Sequence, residues 1–420
     1  MSRPYDVAVI GAGYVGIPHA ATFAEAGCSV LVVDVVPELV ERLNRGESHI
    51  EDVSSERLAA LVSSGQLRAT TDYAEVAGCD AVVIAVPTPL SRQREPDLSI
   101  VESAARSLAP VLRKGQLVVL ESTTWPGTTR EVLQPILETS GLRAGEDFHL
   151  AFAPERVDPG RTDWTTKTTP KVVGGLTPAC TERAAELYSR AIDTVHRVST
   201  PEAAELTKLL ENIFRSVNIA LVNELAILCD RMGIDIWEVV DAAATKPFGF
   251  MRFSPGPGLG GHCIPVDPFY LTWKAREFGF YTEFIELAGK VNEEMPYFCR
   301  SLISQALNHG AQKAMKGSRI LVLGVAYKAD IGDVRESPAL KIISLLRNAG
   351  AHASFHDPHV PRVDDLASVA YEPGAYDCVV IVTDHSSVDY EALVDEAKLI
   401  VDLRNATGAK GTAAEHVFKL

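Results

Sequence analysis

Four side chains in the middle of the sequence are of types that carbonyl chemistry uses. Cys263 lies in the run GPGLGGHCIPVDP (residues 256–268) among four glycines and three prolines, and Asp267 follows it by four residues. Such a loop is costly to order unless it must hold a fixed backbone path, and its glycines, Gly260 among them, let a ligand lie close against it. Asp267 could orient a water or a lysine, whereas a carboxylate beside a thiolate raises the thiol pKa unless a cation intervenes. Upstream, Lys208 and Asn212 are four apart in a helical run, so they project from one face. Directed into a site, they offer an ammonium and an amide, and Lys208 could be the cation the thiolate needs; a solvated surface pair is the alternative. His262 is adjacent to the cysteine and available as a base, although neighbours in an irregular loop often point apart.

These groups need a scaffold, and the N-terminus supplies the first part. YDVAVIGAGYVG reads as a strand and a glycine turn, IPHAATFAEAG as a helix, and CSVLVVD as a second strand ending in Asp34. Gly11 permits the tight turn, Gly13 lets the backbone approach a pyrophosphate, and Gly16 lets helix and strand pack closely, with Tyr14 and Val15 between them at the helix N-terminus. Asp34 would accept hydrogen bonds from a ribose diol and repel a 2'-phosphate, so NAD is expected over NADP. Further strands are expected over 80–89, 116–124 and 147–155. Their carboxyl ends carry Pro87-Thr88-Pro89, Glu121-Ser122-Thr123-Thr124 and Pro154-Glu155-Arg156, where ligands collect in such sheets. From Thr200 the pattern turns helical for about 30 residues, roughly 45 Å, with Thr200 as N-cap, Pro201 at the first position and Gly233 as terminator. Its excess apolar surface suits a subunit interface. A second α/β half starts near residue 318 with SRILVLGVAYK. It does not repeat the fingerprint, but its loop holds Lys328 and Arg335, two cations suited to a phosphate-bearing ligand. The expected architecture is therefore α/β, with two Rossmann-like doubly wound domains joined by a long central helix and a helical segment. The domains would cover 1–198 for the NAD-binding part, 199–305 for the central helical dimerisation segment with the cysteine loop, and 306–420 for a second nucleotide site.

Composition narrows the possibilities further. A net charge of −15 over 420 residues leaves no basic stripe for a nucleic acid. No signal peptide precedes the first strand and no apolar run reaches the roughly 18 residues of a membrane span, so a cytoplasmic protein is expected. Seven scattered cysteines without a CxxC pair suggest neither a disulfide framework nor a metal site. Six of them fall in or beside apolar segments and read as small buried hydrophobes, which leaves Cys263 as the exception. NAD together with a nucleophilic cysteine suggests that a sugar alcohol is oxidised to a carbonyl, captured by sulfur and oxidised again to a thioester, from which water releases a carboxylate.

In these motifs the chain resembles the nucleotide-sugar 6-dehydrogenases of the UDP-glucose/GDP-mannose dehydrogenase superfamily along nearly its whole length. GPGLGGHCIPVDP, PERVDPG and TTPKVVGG look like the branch that oxidises UDP-N-acetylhexosamines, particularly UDP-N-acetylglucosamine. Val266 stands where glucose-oxidising relatives more often have a lysine, and Arg252 with Ser254 forms a polar approach to the loop, where Arg252 is a candidate substrate contact. The resemblance implies that Cys263 is the thioester-forming nucleophile, Lys208 stabilises oxyanions, Asn212 contacts oxyanion and substrate, and Asp267 positions or activates water. It also implies that Thr124 orders water near the cofactor, Glu155 assists thioester hydrolysis beside the substrate contact Arg156, and Lys328 and Arg335 contact the nucleotide sugar. The arginine of such enzymes typically reaches across from a neighbouring subunit, so a homodimer or larger homo-oligomer is implied. Alternative readings are the same chemistry on UDP-glucose or a dTDP-sugar, a two-electron dehydrogenase of the hydroxyacid type with no need for Cys263, and a non-catalytic NAD-sensing protein.

Overall fold

The computed structural model describes residues 5–91, 95–157, 163–261, 264 and 266–420. Contacts between residues divide the chain into two units, Met1–Glu211 with Phe269–Phe280 and Asn212–Pro268 with Tyr281–Leu420. This division cuts through the segment 199–305, whose long helix gives its first turns to one unit and the remainder to the other.

The first unit is built on one sheet of eight strands: β1 (Tyr5–Ile10), β2 (Val30–Val33), β3 (Leu67–Thr70), β4 (Cys79–Ile84), β5 (Leu117–Leu120), β6 (His149–Phe152), β7 (Lys171–Gly175) and β8 (Val195–Val198). Their spatial order is β3-β2-β1-β4-β5-β6-β7-β8. The first six strands are parallel in the dinucleotide-binding order, and the chain reverses once, where β7 pairs antiparallel with β6. Nearly continuous Val/Leu/Ile/Ala runs in β1, β2, β4 and β5 are what a sheet covered on both faces requires, and all of these residues from Val7 onward except Asp80 are buried. The expected strands over 80–89, 116–124 and 147–155 prove shorter. They end at Ile84, Leu120 and Phe152, and the residues that follow form loops at the carboxyl edge.

The second unit holds a parallel sheet of β9 (Arg319–Leu323), β10 (His352–His356), β13 (Cys378–Ile381), β14 (Ile400–Asp402) and β15 (Val417–Lys419), in the order β10-β9-β13-β14-β15. A small hairpin of β11 (Arg362–Val363) and β12 (Leu366–Ala367) lies apart from it. Its apolar core also takes in Val222, Ala226, Trp237 and Met295 from the helices of the same unit.

The long helix runs Pro201–Met232. Thr200 caps it, its Oγ1 accepting from Ala203 N at 3.2 Å, and Gly233 ends it at φ +69°. By length and composition this helix could cross a membrane, with a mean hydropathy of 1.3 over its most apolar 18 residues, which departs from the sequence expectation. Its buried Glu205 and Asn223 nevertheless hydrogen-bond to protein backbone, the pattern of a helix packed in protein.

Candidate active site

The three fingerprint glycines of the first unit have separable tasks. Gly11 sits at φ +103°, and a Cβ there would meet Ala85 O at 2.4 Å. A Cβ on Gly16 would stand 1.8 Å from Gly11 O, so only glycine lets the helix Gly16–Glu25 start this close to β1. A Cβ on Gly13 would meet nothing within 4 Å, which leaves the side of the turn that a pyrophosphate would take open. Asp34, just past β2, accepts from Ala12 N at 2.8 Å and Val36 N at 3.0 Å, so its carboxylate fixes the glycine turn. Tyr14 is exposed and Val15 half-buried beside them.

The loops after β4 and β5 complete this edge. Ser122 Oγ donates to Val86 O at 2.7 Å and accepts from Val86 N at 3.0 Å, tying the loop that carries exposed Pro87 and buried Thr88. Tyr270 OH donates to Thr88 O at 3.0 Å. Thr124 is 1% exposed, and its hydroxyl has no partner among the described residues. A buried hydroxyl is seldom left so, and one at this edge fits a site that a nicotinamide cofactor or an ordered water fills. Next to it, Trp125 stacks on Tyr270 at 6.1 Å and packs against Trp273 at 4.7 Å between ring centroids. The turn that follows is held from the long helix. Glu205, wholly buried, accepts from Gly127 N at 2.6 Å, Thr129 N at 2.9 Å and Thr129 Oγ1 at 2.7 Å. Burial pushes its carboxyl up to about 7, although these three donors pull the other way. Lys208, one turn along the helix, is also buried.

Glu155 follows β6 and stands in a charged cluster that the sequence did not announce. Its Oε2 is bonded by His19 Nε2 and lies 3.3 Å from Lys171 Nζ, and its Oε1 accepts from Val157 N at 2.6 Å. Lys171 Nζ also lies 3.0 Å from Glu121 Oε1, which receives the Tyr188 hydroxyl and stands 3.3 Å from His19 Nδ1. Burial alone would raise the Glu155 carboxyl, but Lys171 and His19 outweigh it and hold it well below the usual carboxylate range. Burial and the Glu121 charge push the Tyr188 hydroxyl well up. His19, Glu121 and Glu155 have the spacing of metal ligands, yet the lysine already supplies the positive charge that the two carboxylates need. Arg156 is held by Glu211, at 2.6 Å, and by Pro170 O, at 2.6 Å.

In the second unit, Asn212 and Asp267 come together although they are 55 residues apart. Both are buried, and Asn212 Nδ2 donates to Asp267 Oδ2. Cys263 and His262 lie outside the described residues. The glycine loop leading to them is pinned at both ends. Gly256 N donates to Asn223 Oδ1 at 2.9 Å, and Asn223 is held in turn by Asn292; Gly261 N donates to Arg335 O at 3.0 Å. A Cβ on Gly260 would come within 2.6 Å of Tyr327 Cβ, and one on Gly261, at φ +88°, would stand 3.0 Å from the Tyr327 ring. The sequence suggested that these glycines make room for a ligand. In the structure they let the cysteine loop pack against the AYKADIGDVRES loop. Arg335 forks onto Asp333 of its own chain, Nη2 lying 2.5 Å from Oδ2, and Lys328 is half-buried. Arg252 lies on the surface, paired with Asp241 at 2.7 Å and Ser254 at 2.7 Å.

The second sheet repeats the turn geometry of the first without its fingerprint. Gly324, at φ +83°, donates to His356 O as Gly11 does to Val33 O, and Val325 N donates to Asp357 Oδ2 at 2.7 Å as Ala12 N does to Asp34. Asp357 differs in being buried and bonded by His385 Nε2 at 3.0 Å. Burial opposes its ionisation, but this imidazole and four backbone N–H donors bring it down to about 2, committed within the fold. His385 Nδ1 accepts from Asp330 N at 3.0 Å, so both of its nitrogens are engaged and the Asp330–His359–His385 group is no ready metal site. The six cysteines outside the glycine loop are all buried, and burial raises the thiols of Cys28, Cys79, Cys299 and Cys378, that of Cys79 to about 12. Such thiols are inert.

A sheet in the dinucleotide-binding order with its glycine turn, in one chain with a second Rossmann-like sheet, defines a nucleotide-binding protein of the doubly wound α/β class. Comparison with known proteins gives the family. Models of the UDP-glucose/GDP-mannose dehydrogenase family match at residues 5–192 (NAD binding domain), 202–294 (central domain) and 321–409 (UDP binding domain). UDP-N-acetyl-D-mannosamine dehydrogenase of Pyrococcus horikoshii is 38% identical over 95% of each chain. UDP-N-acetyl-D-glucosamine 6-dehydrogenase of Pseudomonas aeruginosa is 36% identical over 91% of each. The solved structure of the UDP-D-ManNAc dehydrogenase from Pyrococcus horikoshii superposes with a TM-score of 0.90 at 36% identity, covering 99% of this chain and 98% of that one. The chain belongs to the UDP-glucose/GDP-mannose dehydrogenase family and is an NAD-dependent nucleotide-sugar dehydrogenase.

Proposed function

We propose that the protein oxidises the C6 hydroxyl of a UDP-N-acetylhexosamine to a carboxylate. NAD supplies the hydride acceptor for two successive oxidations. The first takes the alcohol to the aldehyde, with loss of the hydroxyl proton and a C6 hydride. Cys263 Sγ then adds to the carbonyl carbon, the oxygen taking up the thiol proton to give a thiohemiacetal, and loss of that hydroxyl proton with the second C6 hydride leaves a thioester. Water attacks the acyl carbon, the C–S bond breaks, and the carboxylate leaves with the thiol restored. In all, two NAD are reduced and one water is consumed per sugar. Lys208 and Asn212 stabilise the alkoxide and the tetrahedral oxyanions. Asp267 orients Asn212 and the attacking water, Thr124 orders water at the cofactor, and Glu155 assists hydrolysis. The observation that carries this reading is the buried Asn212–Asp267 hydrogen bond, an amide fixed by a carboxylate four residues beyond the cysteine.

Lys328 and Arg335 take the diphosphate in this reading. The N-acetylhexosamine preference rests on the cysteine-loop sequence, with Val266 in it, and on the substrates named for the relatives above. A panel of UDP-N-acetylglucosamine, UDP-N-acetylmannosamine, UDP-glucose, GDP-mannose and dTDP-glucose, followed by NADH absorbance, tests it: an N-acetylated UDP-sugar should be turned over best, and turnover of UDP-glucose alone would overturn the assignment. A homodimer belongs to the same proposal. Leu206, Leu210, Phe214, Leu221, Leu225, Leu228 and Met232 are exposed along the long helix at spacings of three, four and seven, an apolar stripe of the kind a second copy covers. Six buried free thiols suit a reducing compartment, so a cytoplasmic location is proposed with it.

A further inference from the structure

Glu205, in the long helix, commits its carboxylate to a single turn of another segment. All three of its hydrogen bonds go to Gly127 and Thr129, three to five residues after Thr124, while Lys208 lies one helical turn away on its own element. The far side of that turn is fixed as well. Gly127 is at φ +107°, Glu131 is paired with Lys274 at 2.5 Å, and Trp125 is wedged against Tyr270 and Trp273. Thr124, whose buried hydroxyl has no partner among the described residues, is therefore carried by a turn with two anchors, one of them the wholly buried Glu205 carboxylate.

We propose that Glu205 is a positioning residue: its carboxylate clamps the Gly127–Thr129 turn to the helix turn that carries Lys208, and protonating it releases Thr124 and weakens cofactor binding. The chemistry is one of donors and acceptors. An ionised carboxylate accepts from two N–H groups and a hydroxyl at once, whereas a neutral acid must turn one oxygen into a donor facing a backbone N–H. Its surroundings favour a transition in the neutral range. Glu202 on its own helix adds negative charge but is paired with Arg130 at 2.7 Å, Glu131 is paired with Lys274, and Lys208 follows three residues along the helix. Burial sets the direction, with the carboxyl near 7.

The inference rests on the reading that Thr124 lines the cofactor site, and the test separates the two. NADH affinity is measured by fluorescence titration of the full chain between pH 5.5 and 9, with no sugar present, for wild type, Thr129→Val, Glu205→Gln and Thr124→Val. Wild-type binding should weaken at least fivefold as pH falls through about 7. Thr129→Val removes one donor to the carboxylate and should move that midpoint upward by about one pH unit. Glu205→Gln should bind weakly at every pH. A midpoint unmoved in Thr129→Val overturns the proposal, even where Glu205→Gln fails to fold; so does a Glu205→Gln protein with the wild-type profile. Thr124→Val with undiminished affinity, alongside a shifted midpoint in Thr129→Val, keeps the clamp and removes only the cofactor contact of Thr124.

Discussion

Replacing Lys171 by methionine removes the cation from the cluster behind the first sheet. Its side chain is 4% exposed, and its Nζ is the partner of both Glu121 and Glu155, at 3.0 and 3.3 Å. Methionine preserves most of the volume, so the cost is electrostatic: among the described residues, buried Glu121 and partly buried Glu155 keep only His19, the Tyr188 hydroxyl and Val157 N. Breaking a buried pair by removing one partner costs about 3–5 kcal/mol. For a unit of about 200 residues each kcal/mol lowers Tm by roughly 2–4 °C, so a drop of about 6–20 °C is expected. The pH dependence has a definite sign. The Glu155 carboxyl is held below its ordinary 4.5 in the folded state, so its contribution is present above that value and is lost as pH falls through the folded value. The gap between wild type and Lys171→Met should thus be full at pH 7.5 and shrink on acidification below 4.5. Lys171→Arg, which keeps the charge, should lose less. Thermal unfolding by circular dichroism at pH 7.5 and at pH 4 reads both effects; a drop of less than about 2 °C at pH 7.5, or a gap that widens in acid, refutes the ion-pair account.

Two further substitutions separate the tasks of the glycine turn. Gly16→Ala puts a methyl 1.8 Å from Gly11 O and should destabilise the fold by at least the ~1–3 kcal/mol of an overpacked core, whereas Gly13→Ala meets no protein atom and should keep the wild-type Tm while losing NADH binding in a fluorescence titration. Asp34→Ala gives up a charged acceptor worth ~1.5–3 kcal/mol, so NAD affinity should fall about 10- to 100-fold and the preference over NADP should shrink, measured as the ratio of the two KM values.

The parts legible in the sequence are those whose meaning is local. The strand–glycine–helix–Asp34 unit, the Thr200 cap and the Gly233 stop each depend on neighbours within a few residues or one short supersecondary unit, and the structure has them as expected. Strands β3, β7, β8 and β15 were not anticipated; they are three to five residues long, and LRAT, VHRV and VFK each carry a charged residue that blurs the apolar run. His19, Lys171 and Glu205 are not legible for another reason. Their partners lie up to 152 residues away in the chain, and an isolated polar residue in an apolar helix or strand looks the same whether it is solvated or buried in a network. The glycines before Cys263 are legible as demanding close approach, but the group that approaches Gly260 and Gly261 is Tyr327, which no local pattern identifies.

The central claim is a four-electron oxidation through Cys263, and the most direct measurement counts NADH formed per sugar consumed, with limiting UDP-N-acetylhexosamine and excess NAD. The account predicts two NADH per sugar carried to the uronic acid, and loss of full oxidation in Cys263→Ala. A ratio near one for the wild type, or an undiminished ratio of two in Cys263→Ala, would contradict it.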